Sequence, residues 1–208
     1  SVCNLTCQTC IRNTWAEPLG YMEMAIFNRL VRQLRKFPHL QSIMFGGFGE
    51  PTAHSEILSM IRSVKTLGVK AEMVTNGTLL DDNMIQGLFD CRLDTLWISF
   101  DGAEGGSFEQ IRRGASFRGV MGGLELLRRL NQRSRHKIDL GVAFVVMRKN
   151  IEDLKNLGRL LWATGATMVS VSNVLPYTEE MESQMVCSQA LTLEMLTDVP
   201  GSIELSVP

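Results

Sequence analysis

The sequence carries no excess of either charge: 21 Lys and Arg stand against 22 Asp and Glu, for a net charge of −1. Such a chain builds no field that would gather nucleic acid or anionic lipid, so neither is expected as a partner. It contains no apolar run long enough to cross a bilayer, and no stretch reads as a secretory signal. The five cysteines are an odd count, which argues against a disulfide framework. Cys7 and Cys10 have zinc-type spacing but no second Cys-x2-Cys or His-x3-His knuckle. A structural zinc would need its fourth ligand from Cys91, Cys187, His39, His54 or His136. The glycine-rich stretch Gly46-Gly47-Phe48-Gly49 lacks the Lys-Ser/Thr ending of a phosphate loop. What remains is an ordinary globular composition over 208 residues, 45% hydrophobic and 21% charged, with room for one domain and a sizeable core. Free thiols and the missing span point to a soluble, cytoplasmic protein. The basic run from Arg128 to Lys137 reads as a solvated helix end.

Against these absences stands one concentration. Cys3, Cys7 and Cys10 fall within eight residues, and a loop that short can fold its sulfurs around one inorganic centre. A cubane cluster has four irons, so three cysteines leave one iron for a ligand that is not protein. Cys91 and Cys187 are lone thiols and read as small buried residues.

Downstream, hydrophobic periodicity alternates between two types. Met24, Phe27, Leu30, Val31 and Leu34 mark a helix stopped by Pro38, and Ile43–Phe45 a short strand ending in Gly46-Gly47. Ile57, Met60, Ile61 and Val64 share the face of a helix that ends at Gly68. Lys70–Thr75 is the next strand, closed by a turn at Asn76-Gly77. Asp81 or Asp82 can cap a helix through Leu88. Asp94–Phe100 is a strand, followed by a loop and a long helix over Phe117–Asn131. Ile138–Met147 is the longest strand and alternates little, as where both faces are covered. Asn150 can cap a helix over Ile151–Thr164, and Thr167–Asn173 is the last clear strand. A weak helix is expected near Leu191–Leu196. Strands separated by helices imply parallel pairing and an α/β fold, either an open doubly wound sheet or a curved partial barrel. In both, ligands sit at the carboxyl ends of the strands.

Polar residues and glycines collect at those ends. Gly46, Gly47 and Glu50 follow a strand, and glycines there let a ligand approach the backbone. The alternation of Leu96–Asp101 puts Trp97, Ser99 and Asp101 on one face, where two small polar groups suit a ribose. Asp101 also fits a turn before Gly102.

Taken in order, Cys-x3-Cys-x2-Cys, Gly-Gly-Phe-Gly-Glu-Pro, Thr-Asn-Gly, Ser-Phe-Asp-Gly and Ile-Arg-Arg-Gly resemble the radical S-adenosylmethionine (SAM) superfamily. The resemblance runs along nearly the whole chain. It implies a partial (β/α)6 TIM-type barrel and two cofactors, a 4Fe-4S cluster on Cys3, Cys7 and Cys10, and SAM on the open iron. It also implies reductive cleavage of SAM to a 5'-deoxyadenosyl radical, fed by an external electron donor. By the same resemblance Gly46, Gly47 and Glu50 receive the SAM ammonium, and Ser99 and Asp101 contact SAM. Arg113, or Arg112 beside it, pairs with the SAM carboxylate, and Asn173 to Tyr177, including Leu175, lie by the adenine. Asn76 is read as a turn residue. Thr9 stands where the family commonly has an aromatic residue.

Within the family, Trp15–Gly20, Phe144–Ile151 and Ser172–Thr178 look like the maturases associated with tungsten-containing aldehyde oxidoreductases. That implies a protein, peptide or tungsten-cofactor substrate. Two other readings remain at this point: a non-catalytic electron-transfer or metal-binding domain, and a barrel whose cysteines do nothing together. Residues 1–175 read as the core and 176–208 as a connection towards a further segment. A first strand is expected ahead of Cys3, and many relatives carry a cysteine-rich extension after the barrel.

Overall fold

In the computed structural model, which describes residues 1–186 and the backbone of Ser202–Ser206, six parallel strands form one sheet in sequence order. They are β1 (Ser42–Phe45), β2 (Lys70–Thr75), β3 (Thr95–Ser99), β4 (Asp139–Val146), β5 (Met168–Asn173) and β6 (Ser202–Ser206). A doubly wound sheet reverses its strand order at a switch point. Here each strand is added on the same side of the last, so crossovers of one hand put the helices on one face and the sheet curls towards a barrel. The order of the strands therefore chooses the partial barrel over the open sheet.

The helices are α1 (Met24–Leu34), α2 (Ile57–Lys65), α3 (Asp82–Asp90), α4 (Gly105–Ile111), α5 (Phe117–Arg133), α6 (Leu157–Thr164) and α7 (Glu179–Ser183). The face expected of α2, Ile57, Met60, Ile61 and Val64, meets the core; α1 buries Phe27 and Val31 but leaves Leu30, expected on the same face, 45% exposed; α5 buries Val120, Leu124 and Leu127. Strand residues sort by parity. Ala71, Met73, Leu96, Ile98, Val142, Phe144, Val169 and Val171 are buried in the main core cluster. Their neighbours Glu72, Val74, Trp97, Ser99, Ala143, Val145, Ser170 and Ser172 stay half-buried on the opposite face. That second face is the concave inside, and its polar content fits a surface meant to meet a ligand.

Three expectations about elements change. The segment after Asp101, expected as a loop, contains α4, which buries Phe108 and Ile111. The single helix expected over Ile151–Thr164 is a 3-10 turn, Ile151–Asn156, leading into α6. Asn150 does not cap it, because its side chain is committed elsewhere: Oδ1 accepts from Met147 N, and Nδ2 donates to the Asp101 and Val145 carbonyls. Finally, β6 follows the strand expected to be last. The helix expected near Leu191–Leu196, and Cys187, lie outside the described residues.

Candidate functional site

The cysteine loop lies across the carboxyl ends of the strands, held by the end of α4 and the turn after it. Thr6 N donates to the Arg113 carbonyl at 3.2 Å and Gln8 N to the Ile111 carbonyl at 2.8 Å. Leu5 is buried beneath it. Gly114, at φ +96, brings this segment close enough that a Cβ there would sit 3.3 Å from the Leu5 side chain. Gln8 is gripped on its outer side by Lys149, which donates to its carbonyl oxygen, and by Glu180, which accepts from its amide. Pinned this way, the free thiols of Cys3, Cys7 and Cys10 all line one cavity of about 300 Å³.

The glycine-rich loop after β1 forms the opposite wall, through Gly47, Phe48, Gly49 and Glu50. Gly49 allows the chain start to pack on it: a Cβ would lie 2.9 Å from the Val2 carbonyl oxygen, and Glu50 N donates to that same oxygen at 2.9 Å. Trp15 meets Phe48 edge to face with ring centroids 5.0 Å apart, tying the exit of the cysteine loop to the glycine loop. Glu50 is 5% exposed. Its Oε1 accepts from Thr52 N (3.0 Å), Thr52 Oγ1 (2.6 Å) and Thr75 Oγ1 (2.6 Å), and its Oε2 accepts from Asn76 N (2.8 Å). A carboxylate offers about four lone-pair positions, so Oε2 keeps room for a further donor from the cavity.

Of the other expected site residues, Ser99 and Leu175 line the cavity. Gly46 does not; it borders the neighbouring apolar groove beside β1. Asp101 is fully buried and spent on structure: Oδ1 accepts from Val145 N at 3.0 Å, and Oδ2 pairs with Arg112 Nη2 at 3.0 Å. Asn173 turns away, exchanging two hydrogen bonds with the Val186 backbone. Arg113 is also outside, half-exposed and 3.9 Å from Glu180. It is Arg112 that enters, with Nη1 3.8 Å from Cys7 Sγ. Asn76, expected only as a turn residue, does both jobs. Its Oδ1 accepts from Thr78 N, and its Nδ2 reaches Cys3 Sγ at 3.8 Å while it lines the cavity. Tyr177, at the end of the stretch expected by the adenine, lines the cavity too, whereas the sequence leaves out Arg12 and Thr75 of its wall; for Arg12, a cation two residues past the third cysteine was the available signal.

Burial pushes the Cys7 thiol up to about 11, with the Arg112 guanidinium pulling against the rise. Lys149 is lowered by burial, and Glu180 opposes that. Among the described residues no three His, Cys, Asp or Glu side chains converge as a single metal ion requires. The three thiols line one cavity, a donor set that fits a polynuclear cluster in which each thiolate would hold its own iron. Two buried nitrogens of cavity-lining residues, Arg12 Nε and Arg112 Nε, have no hydrogen-bond partner among the described residues; buried donors without partners are rare unless a ligand takes them.

The family model described as the Radical SAM superfamily matches residues 1–161. The chain belongs to the radical SAM superfamily. Members of this family use a 4Fe-4S cluster and SAM. The chain is 34% identical over 199 residues to a tungsten-containing aldehyde ferredoxin oxidoreductase cofactor-modifying protein of Pyrococcus furiosus, covering 89% of this chain and 52% of that one. It is 26% identical over 204 residues to a PqqA peptide cyclase of Rhodopseudomonas palustris, with 97% and 52% covered. Streptococcus suis SuiB bound to S-adenosylmethionine shares the fold with a TM-score of 0.75 at 16% identity, over 100% of this chain and 48% of that one. The chain thus spans about half the length of these relatives. No helix among the described residues is long and apolar enough to cross a membrane.

Proposed function

We propose that this chain is the core of a radical SAM maturase that acts on a protein, a peptide or a tungsten cofactor, and that it works in the cytoplasm with an external electron donor. The observation that carries the reading is the convergence of three free thiols and one oriented, nearly buried carboxylate on a single cavity. Cys3, Cys7 and Cys10 would hold the cluster, and Glu50, through Oε2, would receive the ammonium of SAM. Ser99, Asn76 and Leu175 would border the remainder of that ligand. Loaded with both groups, such a site supplies reductive cleavage of SAM to a 5'-deoxyadenosyl radical.

The chain's own share is binding, orientation and exclusion of water. Thr52, Thr75 and the Asn76 amide hold the Glu50 carboxylate before any ligand arrives, so little reorganisation is needed on binding. Phe48, Ile11 and Leu175 give the cavity apolar walls against which the apolar part of a ligand would pack. We assign residues 1–175 to this core and read the segment from 176 to 208 as a connection that first adds β6 to the same sheet. The names of the two sequence relatives, a cofactor-modifying protein and a peptide cyclase, support the substrate classes.

The test is anaerobic reconstitution, followed by iron and sulfide analysis, EPR of the reduced protein with and without SAM, and an assay for 5'-deoxyadenosine. Four irons per chain, a SAM-dependent change of spectrum and release of 5'-deoxyadenosine are the expected results. A cluster whose spectrum ignores saturating SAM would instead make this an electron-transfer domain.

A further inference from the structure

The three thiols are not equivalent. Cys3 Sγ faces neutral donors, Leu5 N at 3.4 Å and Asn76 Nδ2 at 3.8 Å. Cys7 Sγ, on a residue only 9% exposed, faces a guanidinium nitrogen. That difference is built by the backbone. Ile111 ends α4, Arg112 leaves it with φ −94 and ψ 67, and the bonds from Gln8 N and Thr6 N bracket Arg112 on one side and Cys7 on the other. The guanidinium is then fixed from behind. Asp101, with no exposed surface, pairs with Nη2, and is itself held by Val145 N on its carboxylate and by Asn150 Nδ2 on its carbonyl. The Arg112 side chain is 10% exposed, and its Nε has no partner among the described residues. The cation is therefore both immobilised and poorly screened by water.

We infer that the Asp101–Arg112 pair is a positioning device aimed at Cys7, presenting a cationic N–H to that one sulfur so as to raise the reduction potential of the cluster the loop holds. The inference rests on the cluster reading above. Reduction adds one electron, delivered by the external donor, to the cluster without breaking any Cys–iron bond. The added negative charge is stabilised by a nearby fixed cation and by hydrogen bonds to the ligand sulfurs, two of the quantities that set iron-sulfur potentials. Arg112 supplies both at Cys7. Asp101 partly offsets the charge and holds its direction.

The test is EPR-monitored potentiometry of the reconstituted full chain in the absence of SAM, comparing wild type with Arg112→Gln, Arg112→Lys, Asp101→Asn and Arg113→Gln. For Arg112→Gln we expect the midpoint to move to more negative potential, so that at the wild-type midpoint the ratio of reduced to oxidised cluster falls about ten-fold, a shift of ~59 mV for a one-electron couple. Arg112→Lys keeps the charge but loses the planar fork and should move less in the same direction. Asp101→Asn should move the midpoint the opposite way, and Arg113→Gln, which changes an exposed cation, should not move it. A purely structural role would lower iron loading without moving the midpoint of the cluster that does load. If Arg112→Gln retains no cluster, Arg112→Lys and Asp101→Asn decide. Wild-type midpoints in the Arg112 variants that load, or a shift of Asp101→Asn in the same direction as theirs, would overturn the inference. A wild-type chain that takes up no cluster overturns the cluster reading itself, and this inference with it.

Discussion

Glu50 is the residue on which most of the site's polar geometry converges, since two side-chain hydroxyls and two backbone amides all donate to its carboxylate. Removing it deprives those donors of their acceptor and deprives the cavity of a fixed carboxylate. We expect Glu50→Ala to weaken the SAM-induced change in the EPR spectrum by at least about ten-fold in SAM concentration, since a hydrogen bond to a charged group is worth about 1.5–3 kcal/mol. An unchanged titration would remove Glu50 from the ligand site.

A second residue, Asp94, acts on stability alone. Burial by itself would raise its pKa, but donation from Lys65 and from Ala71 N outweighs burial and holds the carboxyl below its ordinary 3.8. A depressed carboxyl stabilises the fold above its unfolded pKa, and that contribution is lost as pH falls through the folded value. Asp94→Asn should therefore cost about 1 kcal/mol near neutrality, discounted for partial exposure. The gap to wild type in urea denaturation should close below about pH 4. A gap that stays constant to lower pH would show that the ion pair contributes nothing through its charge.

At the level of elements, the site depends on segments that are not regular. The glycine loop and the chain start touch backbone to backbone at Gly49 and Val2, where no side chain fits. Because the neighbour is backbone, a methyl group there has no flexible atom to displace. Gly49→Ala should cost about 1–3 kcal/mol in stability, as overpacking does. It should also lower iron retention on gel filtration, because Val2 leads directly into Cys3. Full retention of four irons by this variant would show that the two loops hold the cluster independently. The end of α4 and the turn after it have the matching role on the other side, where the carbonyls of Ile111 and Arg113 set the register of the cysteine loop.

For the whole molecule, the cysteine loop is a passenger on the barrel rather than part of its foundation. The main core is a continuous cluster between strands and helices that includes Phe100, Phe108, Phe144 and Leu96 but none of Cys3, Cys7 or Cys10. Changing all three cysteines to alanine should therefore leave the far-UV circular dichroism unchanged and the melting temperature within about 4 °C of the metal-free wild type. Iron uptake should fall to background. Collapse of the fold in this variant would show that the loop is structural first.

The sequence by itself determined what local chemistry and periodicity can determine. Three thiols in one short loop stay neighbours wherever the loop lands, so their shared cavity was legible. The α2 face was legible from spacing, and the Asp81 cap, whose carboxylate accepts from Met84 N at 2.7 Å, from residue type. Membership of the family followed from the order of short motifs, each too weak alone. The tertiary structure decided what depends on distant partners. Arg112 and Arg113 are indistinguishable in sequence, but they sit in the bend and turn that follow α4, where only Arg112 is directed into the cavity. The pairing of that segment with Thr6 and Gln8 selects which one faces Cys7. Asp101 and Asn173 carry the right groups at strand ends, yet Arg112 with Val145 claims the first and the Val186 backbone the second. Asn150 could cap a helix, and instead joins β4 to Asp101. Spacing along the chain says which groups can be neighbours. Competition among buried donors and acceptors, each of which must be satisfied, decides which of them a ligand would meet.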